Sequence, residues 1–474
     1  MTAPRFAGVR TTNPKYEELA PKWSRCSDCV DGQDNIRGKR EAYLPKLTDE
    51  SEVEYTARLK RSDFFNGTWR TIAGLTGMAF RSPPNIEVPS AITPLLADVT
   101  LAGTSLDKLA KGLVEDMLEF GAFGLMVDQP ELPEGVAAIT MAVAERRGLR
   151  PMIQYYPIES VINWRYGKIA NVWQLVMVVL KEDADIAEDQ FSHKVETHYR
   201  VLDLDGAGAY RQRVFRIDDN GKDEQVGADI YPTLNGEPLR TLPFKIVGAL
   251  EEPPLLDLVD ANIAHYQVNA DYRHGLHFTG LPTAVVSGYQ KTDGEALYIG
   301  STSAWVFPDP SARATFLEFT GQGLTELREA IKNIEQRMAV LGARMIADET
   351  SNVETLGATQ IKRAGENSIL SAIVIEVGEA IEWALRLFAQ LAGADGKVSY
   401  QINRDFNPAG LDAQQLTALV GAVQAGQISD SEFFDLMRRH DVIEASKTFD
   451  EHQAEVDMQG MPKPVVPAVT PVAA

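Results

Sequence analysis

Over residues 105–121 the apolar positions Leu106, Leu109, Leu113, Met117 and Phe120 return every three or four places. That spacing predicts one helix face, opened by Ser105 and ended near Gly121. Residues 1–48 carry no such stripe and read as irregular, with Asn13-Pro14 and Tyr43-Leu44-Pro45 as turn punctuation. A helix is then expected from Thr48 or Ser51 to about Gly77, with acids in its first turn. Pro83-Pro84 forbids helix. From Gly121 to about Leu250 the pattern turns to strands. Gly124–Asp128, Met152–Tyr156, Val172–Leu180 and His198–Leu204 are rich in β-branched and aromatic residues, and Asp205-Gly206 and Asn220-Gly221 read as hairpin turns. The fold class is α+β, with helices before a mostly antiparallel sheet.

The second half is more helical. One helix, Leu255 to about His277, places Leu256, Val259, Ile263, Tyr266 and Ala270 on a face. A strand-rich insert follows to about Phe319, with Val285-Val286, Leu297–Ile299 and Ala304–Phe307. A second helix then carries Leu324, Leu327, Ile331, Ile334, Met338, Leu341 and Met345, in steps of 3, 4, 3, 4, 3 and 4. So narrow a heptad seam packs lengthwise against helices, in its own chain or in a neighbouring one. Residues 347–357 are polar and read as a loop. A very long helix is expected from Ala358 to about Ala392, with Gly365 and Gly378 inside it. Short helices near 411–424 and 430–442 end the ordered part, and the prolines of 458–474 predict a disordered tail.

Composition changes this picture little. Apolar residues make up 44% and charged ones 24%, ordinary globular usage. No apolar run is long enough to span a membrane, and Met1-Thr2-Ala3-Pro4-Arg5-Phe6 lacks the core of a secretory signal. Folding in a reducing cytoplasm is expected, since Cys26 and Cys29 are too few for a disulfide framework. Charge matters more. With 67 acids against 46 bases the chain carries −21, the opposite of a protein that grips phosphates. Either DNA is not the ligand, or it must pass without being held.

Catalytic signatures are missing. Gly32 to Gly38-Lys39-Arg40 has the wrong spacing and ending for a phosphate loop. Gly206 and Gly208 suit a hairpin better than a dinucleotide site. Cys26-x-x-Cys29 supplies two of the four ligands that structural zinc needs, and His274 and His277 lie at i, i+3 near a helix end. Neither a metal, a cofactor nor enzymatic activity is expected.

The order of elements resembles that of the portal proteins of tailed double-stranded DNA phages. The local text resembles one portal group known only as a domain of unknown function. The matching pieces are Asn13-Pro14-x-Tyr16, Trp23, Tyr43-Leu44-Pro45 and Arg61-x-x-Phe64-x-Asn66-x-Thr68-x-Arg70-Thr71. Further along come Gly74-x-x-Gly77-x-x-Phe80, Gly121-x-x-Gly124-x-x-Val127-Asp128-x-Pro130, Arg150-Pro151 and Tyr156-Pro157 with Val161-Ile162-Asn163-Trp164-Arg165. Ala270-Asp271, Leu276-His277, Pro282, Gly288 and Met338-Ala-x-Leu-Gly342-Ala complete the set, which spans residues 13–393. Cys26 and Cys29 stand outside it.

The resemblance implies a homo-oligomeric ring, commonly of twelve subunits, around a channel for DNA packaging and ejection at one capsid vertex. It implies an N-terminal arm and wing over 1–254, stem helices over 255–279 and 322–346, a clip over 280–321 and a channel loop over 347–357. The long wing helix is 358–400 and the crown 401–457. Implied partners are the terminase large subunit, head–tail adaptor and tail proteins, major capsid and scaffold proteins, and duplex DNA passing without sequence specificity. No membrane partner is implied. The location is the virion, after assembly in the host cytoplasm. An acidic ring would let DNA slide rather than stick. Arg328, Lys332, Arg337 and Arg344 flank the seam and are candidates for guiding the strand, or for pairing with Glu329 and Glu335. The loop residues Asp348, Glu349, Thr350, Ser351, Asn352 and Glu354 are expected to touch DNA sterically. The competing expectations are a ring-forming scaffold without DNA traffic and a cytoplasmic metal- or thiol-dependent enzyme.

Overall fold

The structure, a computed structural model, describes residues 8–130, 148–169, 171–234, 236–280, 283–287, 311, 313–317, 322–345, 368–404, 406, 429–439, 443 and 447–458. The expected loop 347–357, the expected helix near 411–424 and the segments Leu297–Ile299 and Ala304–Phe307 lie outside them. The chain forms two compact units, one of Met1–Cys26, Arg70–Leu256 and Gly342–Ala474, the other of Ser27–Trp69 and Asp257–Leu341. Residues 27–69, assigned to the wing on resemblance, thus group with the helices that follow residue 257.

The expectation of an irregular start is overturned. Residues Pro14–Asp31 form a helix, α1, followed by α2 at Gln33–Gly38. Pro14 occupies the first position of α1, where its missing N–H costs nothing. Leu19, Trp23 and Cys26 recur at helical spacing and are buried. The single helix expected over 51–77 is two. Ser51 does cap α3 (Glu52–Arg61) in a reciprocal capping box with Glu54. The chain is then extended at Ser62, φ −62° and ψ 151°, before α4 begins at Gly67–Ala79.

In the first unit, the short strand β1 (Asn85–Glu87) is followed by α5 at Leu106–Phe120. The Ser105 hydroxyl accepts from Lys108 N at 3.3 Å, and Gly121 ends the helix in the left-handed region with φ 77°. Strands β2 (Phe123–Asp128) and β3 (Met152–Pro157) follow α5. A meander comes next, made of β4 (Val161–Ile169), β5 (Val172–Ala187), β6 (His193–Leu204), β7 (Tyr210–Ile217) and β8 (Asp223–Ile230). A two-residue pair, β9 (Thr233–Leu234) with β10 (Glu237–Pro238), precedes β11 at Phe244–Val247. The strands divide into a three-stranded sheet ordered β11-β2-β3 and a five-stranded sheet in sequence order β4 to β8, with antiparallel pairing throughout both. Both hairpin turns occur where expected, since Asp205 N and Asp218 N bond back to Ala209 O and Lys222 O. Trp23, Phe120, Met126, Tyr156, Trp164, Leu180, Tyr210 and Phe244 fill the core between these sheets and α1.

After the second unit's α6 (Leu256–Gly280), β12 (Thr283–Ser287), β13 (Arg313–Leu317) and α7 (Gln322–Arg344), the chain returns to the first unit in α8 at Ile369–Leu391. The helix expected from Ala358 is interrupted at Ser368, and residues 358–367 lie outside the described ones. Ser368 is extended, φ −79° and ψ 161°, and its hydroxyl caps Ser371 N, so α8 begins at Ile369 and ends at Leu391. At 23 residues it spans about 35 Å rather than about 50 Å. It packs on α5, β2 and β14 (Ser399–Gln401), which pairs with β1. The helix expected over 430–442 appears as α9 at Asp430–Arg439. A further helix, α10 at Phe449–Met458, was not expected from the sequence.

Candidate functional site

The seam residues are where the heptad places them. Met338 and Met345 are buried and Leu324, Leu327, Ile331, Ile334 and Leu341 are half-buried, while the positions between them on α7 are exposed except Ala330 and Gly342, which are half-buried. Within the second unit the seam faces α6. Leu324 lies over Gly275, where a Cβ would come within 2.6 Å of it. Glu335 meets His265 Nε2 at 3.4 Å, and Met338 closes on Gly67, which has no room for a Cβ. Position rises along one helix as it falls along the other, so α6 and α7 run antiparallel. Between them the chain forms the β12–β13 pair, Thr283 opposite Leu317 through Ser287 opposite Arg313. The seam therefore has a partner in its own chain.

The buried face of α6 is turned slightly from the expected one. Leu258, Val259, Asn262, His265, Tyr266 and Ala270 are buried, whereas Leu256 and Ile263 are only half-buried. Beside His265, the side chains of Asn262 and Tyr266 each find partners. Asn262 Oδ1 accepts from Gly67 N, Thr68 N and Thr68 Oγ1, each at 3.0 Å, and Asn262 Nδ2 donates to Phe65 O at 2.8 Å. Asn66 Oδ1 caps the same turn by accepting from Trp69 N at 3.0 Å. Tyr266 OH pairs with Ser62 Oγ at 2.9 Å, and its ring meets Phe64 edge-on. Thus Phe64, Asn66 and Thr68 of the quoted motif fix the start of α4 against α6.

Other quoted motifs have equally physical roles. The carbonyls of Tyr43, Leu44 and Pro45 are taken by Gln267 Nε2, Tyr55 OH and Arg58 Nη2 at 2.9, 3.0 and 2.7 Å. In the first unit, Asn13 Nδ2 donates to Trp164 O at 3.1 Å, Asn163 Nδ2 to Thr11 O at 2.8 Å and Tyr16 OH to Glu159 O at 2.9 Å. Trp23 Nε1 reaches Phe120 O at 3.2 Å.

Arg328, Lys332, Arg337 and Arg344 are all exposed. Among the described residues none of them pairs with Glu329 or Glu335, and Glu335 is engaged by His265 instead. The loop residues Asp348, Glu349, Thr350, Ser351, Asn352 and Glu354 lie outside the described residues. Cys26 and Cys29 are both buried in α1 and are not joined in a disulfide.

The first unit also holds polar groups away from water. A cavity of about 360 Å³ is lined by Val127, Asp128, Tyr231, Thr233, Pro243 and Leu391 among others. Behind it Gln212 Nε2 donates to Asp128 at 2.9 Å, and Arg200 ties Gln212 to Glu182 at 2.9 and 2.7 Å. Burial raises the Asp128 carboxyl above its ordinary range. This network braces strands and presents no nucleophile–base pair. Nearby in sequence, Asp116 on α5 has a buried Oδ2 without a hydrogen-bond partner. Burial, with help from Glu115 and Glu159, pushes its carboxyl up to about 7. The folded chain therefore keeps a proton that the unfolded chain has lost, and stability falls as pH rises from the ordinary 3.8 towards about 7. Asp116→Asn removes that loss. Its stability advantage over the wild type, followed by urea unfolding, should grow by about 2 kcal/mol between about pH 5 and 8. An advantage independent of pH would show that Asp116 is not the titrating group.

A family model described as Domain of unknown function (DUF4055) matches residues 254–392, from the start of α6 to the end of α8. Comparison with curated protein sequences finds no match. Among solved structures, the chain is similar to a protein in the neck of the native gene transfer agent particle computed with C12 symmetry. That likeness has 13% identity and a TM-score of 0.37, covering 78% of this chain and 89% of the other. It is also similar to a protein in the virion of the native gene transfer agent particle, at 13% identity and a TM-score of 0.40, covering 85% of this chain and 98% of the other. At these scores the likenesses assign neither fold nor role.

Proposed function

We propose that this chain is a portal subunit, one member of a ring around a channel that conducts double-stranded DNA during packaging and ejection. The observation that carries the reading is the antiparallel pair α6–α7 with the β12–β13 pair between its ends. The order of helix, strand pair and helix is what a stem, clip, stem reading calls for, and it supports that reading. Two of the portal motifs, Tyr43-Leu44-Pro45 and Phe64 to Thr68, hold this same unit together, which supports reading them as one pattern rather than as scattered coincidences.

Charge fits the proposed task. A ring of chains carrying −21 each repels a duplex overall, so DNA slides through without sequence being read. Arg337 and Arg344, exposed on α7, supply local guidance along the stem. The 280–321 clip would dock the terminase motor and later the adaptor and tail, and the 347–357 loop would reach the duplex in the channel. The 401–457 crown would face the capsid interior. The virion location follows from the same reading.

The test is negative-stain electron microscopy of the purified full-length chain, with native mass spectrometry for the subunit count. Rings of about twelve copies are expected, with an open pore that admits a duplex. A closed dimer would overturn the proposal. A ring whose pore excludes a duplex would leave a scaffold without DNA traffic.

A further inference from the structure

Strands β5 and β6 are longer than the sheet that holds them. Pairing of β4 with β5 ends at Val161 opposite Leu180, and pairing of β6 with β7 begins at Tyr199 opposite Phe215. Beyond those points Lys181–Ala187 and His193–Tyr199 pair with each other, forming a two-stranded ribbon about 23 Å long. The turn at its end is ordered. Glu188 N bonds to Ser192 O at 3.0 Å, and Asp189 Oδ1 accepts from Phe191 N and Ser192 N at 2.6 and 2.8 Å. That turn presents Phe191 with 90% of its surface exposed, and Val195 is 57% exposed.

A two-stranded ribbon standing alone is marginal in water, and an exposed apolar centre within a charged surround is the anatomy of an interface. The surround is acidic, since residues 181–198 hold six carboxylates against two lysines. Glu182 is tied to Arg200 and Glu196 to His198. Asp183 and Asp185 remain exposed, and the register places Val195 opposite Asp185 on the face they share.

The complement lies on the same chain. Arg328, Lys332, Gln336 and Val340 recur every four residues as one exposed ridge of α7, and Val340 is 54% exposed. Among the described residues, neither base of that ridge has an ion pair. The repeats also match. Alternate residues of a strand lie about 6.7 Å apart, and residues four apart on a helix are neighbours about 6 Å apart. Two carboxylates thus face two cations at a matching repeat.

Resting on the ring reading above, we propose that the β5–β6 ribbon of one copy docks on the α7 ridge of the next copy. Asp183 and Asp185 meet Arg328 and Lys332. The two patches differ, so the contact is head-to-tail, the kind that closes a ring rather than a dimer.

The test uses the full chain and charge reversal at exposed positions, with circular dichroism to establish folding. In native mass spectrometry at low salt, Asp183→Lys with Asp185→Lys should lower the ring fraction at least tenfold, as should Arg328→Asp with Lys332→Asp. Combining all four should restore rings. Rings that tolerate the ribbon reversal, or that stay lost in the combined variant, overturn the contact and leave the ring reading standing. A wild-type chain that forms only closed dimers overturns both.

Discussion

Arg58→Ala should lower the stability of the α6–α7 unit by about 3–5 kcal/mol, the range for breaking a buried ion pair from one side. The side chains of Arg58 and Glu50 are 1% and 5% exposed, and two bonds of 2.8 Å join Arg58 Nε and Nη2 to the two oxygens of Glu50. Arg58 also donates to Pro45 O, lies 5.6 Å from the centre of the Tyr55 ring and comes within 3.7 Å of Asp271. Truncation leaves the Glu50 carboxylate buried without its cation, while removing both partners together costs less than removing Arg58 alone. Lysine is not an adequate substitute, because a point charge cannot span both oxygens. The hydrogen bonds from Arg58 hold the Glu50 carboxyl below its ordinary value. The pair's stabilisation is therefore complete above the ordinary 4.5 and is lost as pH falls through the depressed value. Urea unfolding at neutral pH should show the full deficit of Arg58→Ala, and the two chains should converge in acid. A deficit under about 1 kcal/mol would mean the pair behaves like a surface ion pair.

The elements most legible in the sequence are those whose apolar residues face one neighbour over several turns. The α5 stripe and the α7 seam are of this kind, and both strands and turns around Asp205 and Asn220 follow from local composition. The missed elements fail for specific reasons. Pro14 and Pro21 invite a reading of broken chain, yet Pro14 sits at the first helical position and Pro21 on the exposed side of α1. Ser62 and Ser368 look like ordinary helix interior and prove to be extended boundaries. The far half of β5, Lys181 to Ala187, has no core to face, so no apolar alternation marks it as strand.

The candidate site divides in the same way. The seam was legible because a period of 3.5 is a property of one helix, whatever it packs against. Its partner was not, since nothing in the spacing of α7 names Gly275 or Gly67. The exposed bases were legible as residues but not as a ridge, because the ridge matters only beside the acidic face of the ribbon. Asn262 and His265 were missed altogether. A polar residue on a helical face reads as solvent-facing until the groups it serves are known, and Thr68 lies 194 residues earlier in the chain.

Asn262 gives the second large effect. Asn262→Leu should destabilise the same unit by about 3 kcal/mol, because the buried donors Thr68 N and Thr68 Oγ1 lose their bonds to residue 262, and Gly67 N and Phe65 O, which also bond to each other at 2.8 Å, lose one of theirs. Leucine has the same branching and number of side-chain heavy atoms as asparagine and leaves no cavity, so the loss reports on hydrogen bonding rather than on a void. Asn262→Asp separates the contributions. It keeps the oxygen that receives three donors but turns a second oxygen towards Phe65 O. It should therefore retain the start of α4 at acid pH, where the new carboxyl is protonated and can donate, and lose it as that carboxyl ionises. Amide exchange at Thr68 is the measurement, since its amide donates to residue 262, whereas Gly67 N also donates to Phe65 O. Unchanged protection in Asn262→Leu would show that Asn66 alone holds that turn. The start of α4 would then be independent of α6, and the portal motif around Thr68 would need another explanation.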